Sequence, residues 1–170
     1  HRDYVERLTE SSAHGKTVVL ALPDKIEHVL VVGADEKTQS ERDFRKNVEA
    51  ATQALAQIPV PDAVWHLNDI DVANHDVYWK TRNALSALSS ALYRFDEHKS
   101  KPGKVSHPRR ISIHVDRRAR ANTLRAIRHA QALDAGLELA KNLGNQPPNI
   151  CNPVYLAREG RKFGRLPKTS

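Results

Sequence analysis

The chain has no methionine and a single cysteine, Cys151, among its 170 residues. One thiol cannot close an internal disulfide, which agrees with a reducing compartment, and nothing around Cys151 argues for an activated thiolate, so a packing role is expected. No apolar run approaches the roughly 20 residues needed to cross a bilayer. No basic start precedes a hydrophobic signal segment either, so a cytoplasmic protein with no membrane partner is expected. The seven glycines are scattered, and they form no P-loop, no G-x-G-x-x-G and no G-x-S-x-G. The missing methionine, together with a start at His1, points to a piece of a longer protein.

Nine histidines invite a metal reading, yet none recurs as H-x-x-x-H and none stands at ligand spacing from a second histidine or cysteine. His66 and His114 fall in strand-like segments, where an edge or satisfied histidine is expected rather than a ligand. Asp69 and Asp71 form a D-x-D pair suited to a hard cation, but a polar turn after a strand accounts for it. The residues therefore assemble no active site, and no catalytic, cofactor or metal residue is assigned.

What is present is an alternation of strands and helices. Thr17–Leu22 and His28–Gly33 are short, β-branched apolar runs that read as buried strands, and Ala63–Leu67 is a third candidate. Phe44, Val48, Ala51 and Leu55 recur at helical spacing after a cap at Thr38 or Ser40. Leu85, Leu88, Leu92 and Phe95 mark an amphipathic helix from Val77 to Phe95. Residues 96–108, with Pro102-Gly103, read as an exposed loop. Ile111–Val115 alternates like a strand covered on one face. Leu124, Ile127, Leu133, Leu137, Ala140 and Leu143 then trace a helix over 122–143, roughly 33 Å long at 1.5 Å per residue. The pattern favours an α/β fold, a three-layer sandwich with a mixed sheet followed by a long connecting helix. The expected division is an N-terminal domain over 1–120, the connecting helix over 121–144, and a further segment over 145–170.

Charge is segregated along the chain. Residues 1–98 carry 11 basic and 16 acidic side chains, whereas 99–128 hold ten basic residues against one acid, Asp116. Such a local stripe is what a phosphate backbone selects. Lys101, Lys104, Arg109, Arg110, Arg117, Arg118 and Arg120 are the candidate contacts to duplex DNA; a solvated face that keeps a large assembly soluble is the alternative. No helix-turn-helix, zinc finger or RNA-binding signature supports direct base readout.

The run Asn145-Gln146-Pro147-Pro148-Asn149-Ile150-Cys151-Asn152-Pro153 is a rigid connector. Gly144 can end the preceding helix in a left-handed cap, the adjacent prolines forbid helix before them, and Asn152-Pro153 supplies an N-cap and a first helical residue. With Leu139–Leu143 before it and Val154–Ala157 after it, this run resembles the hinge of the leucyl aminopeptidase family, in its bacterial aminopeptidase A branch. Asp76–Arg82 and Tyr93–Asp96 resemble the same branch. The resemblance implies that residues 145–170 are the hinge and first helix of a catalytic domain that the chain does not complete. It also implies a parent enzyme that removes N-terminal amino acids from peptides with two divalent ions, manganese or zinc. Those ions and the family's N-T-D-A-E-G-R-L signature belong to the catalytic domain, so the 170 residues alone are expected to be inactive. It further implies a homo-hexamer with N-terminal domains at its corners, and DNA binding as a second role. The family's N-terminal domain is related to macro domains, which leaves a stand-alone DNA-binding or ADP-ribose-binding module as the alternative. Nucleotide binding would need clustered glycines, which are absent.

Overall fold

The computed structural model describes residues 17–21, 28–33, 38–101 and 108–163. Expectations resting on Gly15, Leu22, Pro23, Pro102-Gly103, Lys104 and 164–170 lie outside these residues. The chain forms two compact units, His1–Asp134 and Ala135–Ser170. The first is a mixed α/β unit with three strand pairs. Strand β1 (Thr17–Ala21) runs antiparallel to β2 (His28–Val32), from Thr17 opposite Val32 to Ala21 opposite His28. The short β3 (Thr38–Gln39) lies parallel to β5 (Asp71–Val72), and β4 (Asp62–Trp65) lies parallel to β6 (Arg110–Ile113). Among the described residues these are three separate two-stranded sheets, one antiparallel and two parallel, and not the single mixed sheet expected.

Helix α1 spans Glu41–Leu55 and starts at Ser40, whose Oγ accepts from the Asp43 N–H at 3.2 Å. Ser40, not Thr38, is the cap. Glu41 and Asp43 in the first turn favour the positive end of the helix dipole. Phe44, Asn47, Val48, Ala51, Thr52 and Leu55 are buried at three- and four-residue intervals, the stripe of one helix face. Helix α2 (Val77–Leu92) is capped by Asp76, which accepts from the Trp79 N–H at 2.9 Å, and it buries Thr81, Ala84 and Leu88. It stops three residues before the expected Phe95 because Tyr93 turns extended, with ψ 130°.

Helices α1 and α2 pack on one another, α1 also packs on β1 and β2, and α2 packs on the 67–69 turn. Phe44, Val48, Ala51, Trp65, Val72 and Ala84 form the core, with Leu30, Val32, Ile70, Trp79, Ile111 and Ile113 against it. The Phe44 and Trp79 rings meet at 5.7 Å and 43°. Two buried polar contacts tie strand ends to helices: Asn47 Nδ2 donates to Gln39 Oε1 at 3.0 Å, and Asn68 Nδ2 donates to Thr81 Oγ1 at 2.7 Å. A buried amide left without such a partner costs about 1–3 kcal/mol, so these bonds hold β3 and the 67–69 turn in register.

Helix α3 runs from Arg120 to Asn145, 26 residues. Its buried positions are Thr123, Ala126 and Ala130, whereas Leu124, Leu133 and Leu137 are exposed. The expected leucine face is therefore not the one that packs within the first unit. The buried positions carry the small side chains of a threonine and two alanines. Gly144 stays helical instead of capping, and the Gln146 N–H still donates to Asn142 O at 3.1 Å. In the second unit Asn152 caps helix α4 (Pro153–Phe163) as expected, with its Oδ1 accepting from the Tyr155 N–H at 3.0 Å. Strands β1 and β2 are half-buried rather than buried, with only Leu20 fully covered.

Phe44 has no exposed surface. Phe44→Ala is expected to lower the unfolding free energy by about 3–5 kcal/mol, and Ser40→Ala by about 1 kcal/mol through the lost cap. Urea unfolding of both variants checks this. A Phe44→Ala loss smaller than that of Ser40→Ala would show that the core is not centred on Phe44.

Candidate nucleic-acid interface and strand-end cluster

Strand β6 divides the basic stripe. Arg109 precedes it and Arg110 is its first residue, and both backbone N–H groups donate to Pro61 O, at 2.8 and 3.3 Å. Arg110 also pairs with Asp62, its cross-strand neighbour, at 3.4 Å. Beyond the other end of the strand, Arg117 and Arg118 lie in a 3-10 turn (Arg117–Ala119) that feeds α3, whose first residue is Arg120. The rest of the strand, Ile111–Ile113 at about 3.3 Å per residue, and residues 114–116 separate the two groups. Arg117, Arg118 and Arg120 are thus brought together, and Arg109 and Arg110 are not brought to them. All five side chains are exposed, as is Lys101, and Lys104 lies outside the described residues. Among the described residues, Arg117, Arg118 and Arg120 have no ion-pair partner.

This placement opposes the usual helix rule. A helix N-terminus carries the positive end of the dipole, so acidic side chains stabilise it and cations cost about 0.3–1 kcal/mol each at exposed sites. The first turn of α3 has no acidic residue. The N–H groups of Ala119 and Arg120 donate to Asp116 O and Arg117 O, so what this helix end presents is three exposed guanidinium groups.

A second constellation sits at the carboxyl ends of β4 and β6. The ladder continues one step beyond the strands, with the His114 N–H donating to Trp65 O at 2.9 Å, so His66 and His114 emerge side by side. Their rings stack at 4.6 Å. The Asp69 N–H donates to His66 O at 2.9 Å, closing the turn that returns the Asp69 carboxylate to both rings. Its Oδ2 lies 3.5 Å from His66 Nδ1 and 3.3 Å from His114 Nδ1. Spacing along the chain hid this cluster, because His114 lies 45 residues from Asp69. The available signal was His66-x-x-Asp69 at the end of one strand and a histidine at the end of another. Asp71, by contrast, turns away into β5, where its Oδ2 accepts from Thr38 Oγ1 at 3.0 Å. A cavity of about 730 Å³ beside β4 is lined by Leu30, Leu55, Val64, Trp65 and His28, and its described lining offers no glycine-rich phosphate cradle.

A mixed α/β unit followed by a long helix and a proline-rich connector defines the class, and comparison with known proteins gives the family. The profile described as "Cytosol aminopeptidase family, N-terminal domain" matches residues 3–102. Proteins named "Probable cytosol aminopeptidase" are similar over most of the chain. One from Pseudomonas syringae pv. tomato is 35% identical over 167 residues, covering 96% of this chain and 34% of its own length. One from Chromobacterium violaceum is 37% identical over 153 residues, covering 87% of this chain and 29% of its own length. The chain therefore belongs to the cytosol aminopeptidase family, and it spans about a third of the length of these curated relatives. Among solved structures, the bottromycin maturation enzyme BotP in complex with manganese superposes with a TM-score of 0.72 at 20% identity, over 95% of this chain and 32% of that one. A mutant of tomato leucine aminopeptidase gives 0.69 at 18% identity, over 96% and 33%. These likenesses show a shared fold. No helix among the described residues is long and apolar enough to cross a membrane.

The 67–69 turn is braced by Lys80 of α2, whose Nζ donates to Asn68 O at 2.7 Å and to Ile70 O at 2.8 Å. Partial burial lowers the Lys80 pKa below its usual 10.5, against the pull of Asp71, Asp69 and Asp76 in the opposite direction. The unfolded chain then binds this proton more tightly than the folded one. Stability gains a contribution as pH rises from the lowered value towards 10.5, and that contribution is absent at lower pH. Lys80→Met is expected to cost about 1–2 kcal/mol near neutral pH, a charged hydrogen-bond contribution discounted for exposure. The gap from the unsubstituted chain should widen as pH rises towards 10.5. Urea midpoints across that range check the sign, and a narrowing gap would contradict it.

Proposed function

We propose that the chain is the N-terminal, non-catalytic part of a metal-dependent leucyl aminopeptidase that removes N-terminal amino acids from peptides in the cytoplasm. The observation that carries this reading is the match of residues 3–102 to the N-terminal domain of the family, within relatives about three times as long. On this reading two divalent ions, manganese or zinc, would be held by a catalytic domain and would supply Lewis-acid activation of a water there. Residues 1–120 then form a three-layer, macro-domain-like sandwich with a mixed sheet, residues 121–144 connect, and 145–170 begin the catalytic domain. The exposed Leu137, Val154 and Leu156 support docking of that last segment on the rest of such an enzyme. A homo-hexamer belongs to the same reading. A full-length protein is expected to hydrolyse leucine-p-nitroanilide with manganese, and the 170-residue chain is not. Metal-dependent turnover by the purified short chain would overturn the division of labour.

The arginine cluster supports a second role, backbone-dominated binding of duplex DNA. Arg117, Arg118 and Arg120 would carry it, with Arg109, Arg110, Lys101 and Lys104 adding to the field. Retaining three cations at a helix end that disfavours them is what favours this role over a solvated face. Affinity should fall steeply with salt, with a log–log slope of about 0.9 per phosphate neutralised. Arg117→Ala with Arg118→Ala should weaken binding to all duplexes alike and flatten the slope by as much as about 2. Fluorescence anisotropy over a salt series is the test. No binding at low salt, or a slope unchanged in the double variant, returns these arginines to the solvated face.

A further inference from the structure

We propose that His66, Asp69 and His114 form a binding site for a divalent transition-metal ion of the zinc class. The inference does not rest on the peptidase or DNA readings. Its first support is distance. The Nδ1–Oδ2 separations of 3.5 Å from His66 and 3.3 Å from His114 exceed the 2.7–3.2 Å of a well-formed N–H···O bond. They match the edge of a coordination tetrahedron, about 3.3–3.5 Å when each ligand atom lies about 2.0–2.1 Å from zinc. The three residues each offer a ligand atom within 4.8 Å of the others.

The second support is the backbone. Two adjacent parallel strands deliver the histidines from their carboxyl ends, the usual location of ligand sites in α/β sheets. The near-parallel rings, 26° apart, present the same edge towards Asp69. Residues three apart eclipse in a 3-10 turn, so Asp69 returns beneath His66 without strain. Lys80 grips the carbonyls on either side of Asp69, which orients the carboxylate before any ion arrives.

The donor set selects the ion. Two imidazoles and one carboxylate suit zinc, nickel or copper, whereas calcium and magnesium favour all-oxygen shells. All three side chains are exposed, so water completes the coordination and the ion exchanges freely.

Titration of the full 170-residue chain with zinc chloride by calorimetry, in a Cys151→Ser background that removes the only thiol, is the test. One equivalent should bind, and millimolar magnesium should not compete. His66→Gln with His114→Gln should weaken binding at least about tenfold, while His98→Gln should leave it unchanged. On the unsubstituted chain, the first equivalent should shift the ring signals of two of the nine histidines in NMR spectra, a readout that does not depend on any variant folding. Absence of saturable binding below about 100 µM free zinc, or equal binding by the double variant, would overturn the site.

Discussion

The parallel ladder between β4 and β6 is the constraint on which most of this structure depends. It joins segments 48 residues apart, from Asp62 opposite Arg110 to Trp65 opposite Ile113, and extends one further step through the His114 N–H to Trp65 O. Trp65 and Ile113 thereby reach the core built around Phe44. The same register sets His66 beside His114 on the outside and fixes where β6 ends and the arginine turn begins. A slip of one residue would send Trp65 to solvent and separate the histidines, since side chains alternate between faces.

Local electrostatic rules hold in two helices of the first unit and fail in the third. Helix α1 begins with Ser40, Glu41 and Asp43, and α2 with the Asp76 cap, all suited to the positive end of a helix dipole. Helix α3 begins after Arg117, Arg118 and Arg120 instead. The cost is tolerable in a 26-residue helix because Thr123, Ala126 and Ala130 anchor it by burial. Departures of this kind concentrate where a surface meets a ligand, which is why the arginines are of more interest than the larger count of basic residues in the stripe.

Helices were the more legible elements because their signals are local. The stripe from Phe44 to Leu55, the serine cap before it and the Asn152-Pro153 start of α4 can each be read within one or two turns of chain. The pairing of Thr38–Gln39 with Asp71–Val72 could not, since two residues carry no periodicity and the contact spans 33 positions. Gly144 misled for a related reason. A glycine permits a left-handed cap without requiring one, and the helix continued through it to Asn145. The packing face of α3 follows the same logic, since hydrophobicity favours the leucines whereas the buried positions are Thr123, Ala126 and Ala130.

The sequence by itself determined the alternating α/β pattern, the segregation of charge and the proline-bounded connector, since each follows from side-chain chemistry over short spans. Only the tertiary structure decided which basic residues stand together and which strand-end polar groups converge. Arg110 is drawn to Asp62 while Arg117, Arg118 and Arg120 gather at a helix end, and His66, Asp69 and His114 meet although no spacing along the chain announces it. The physical reason is that charge and ligand geometry act through space over a few ångströms. Such distances between remote residues exist only once strand register has been chosen, and register follows from the burial of a whole face at once.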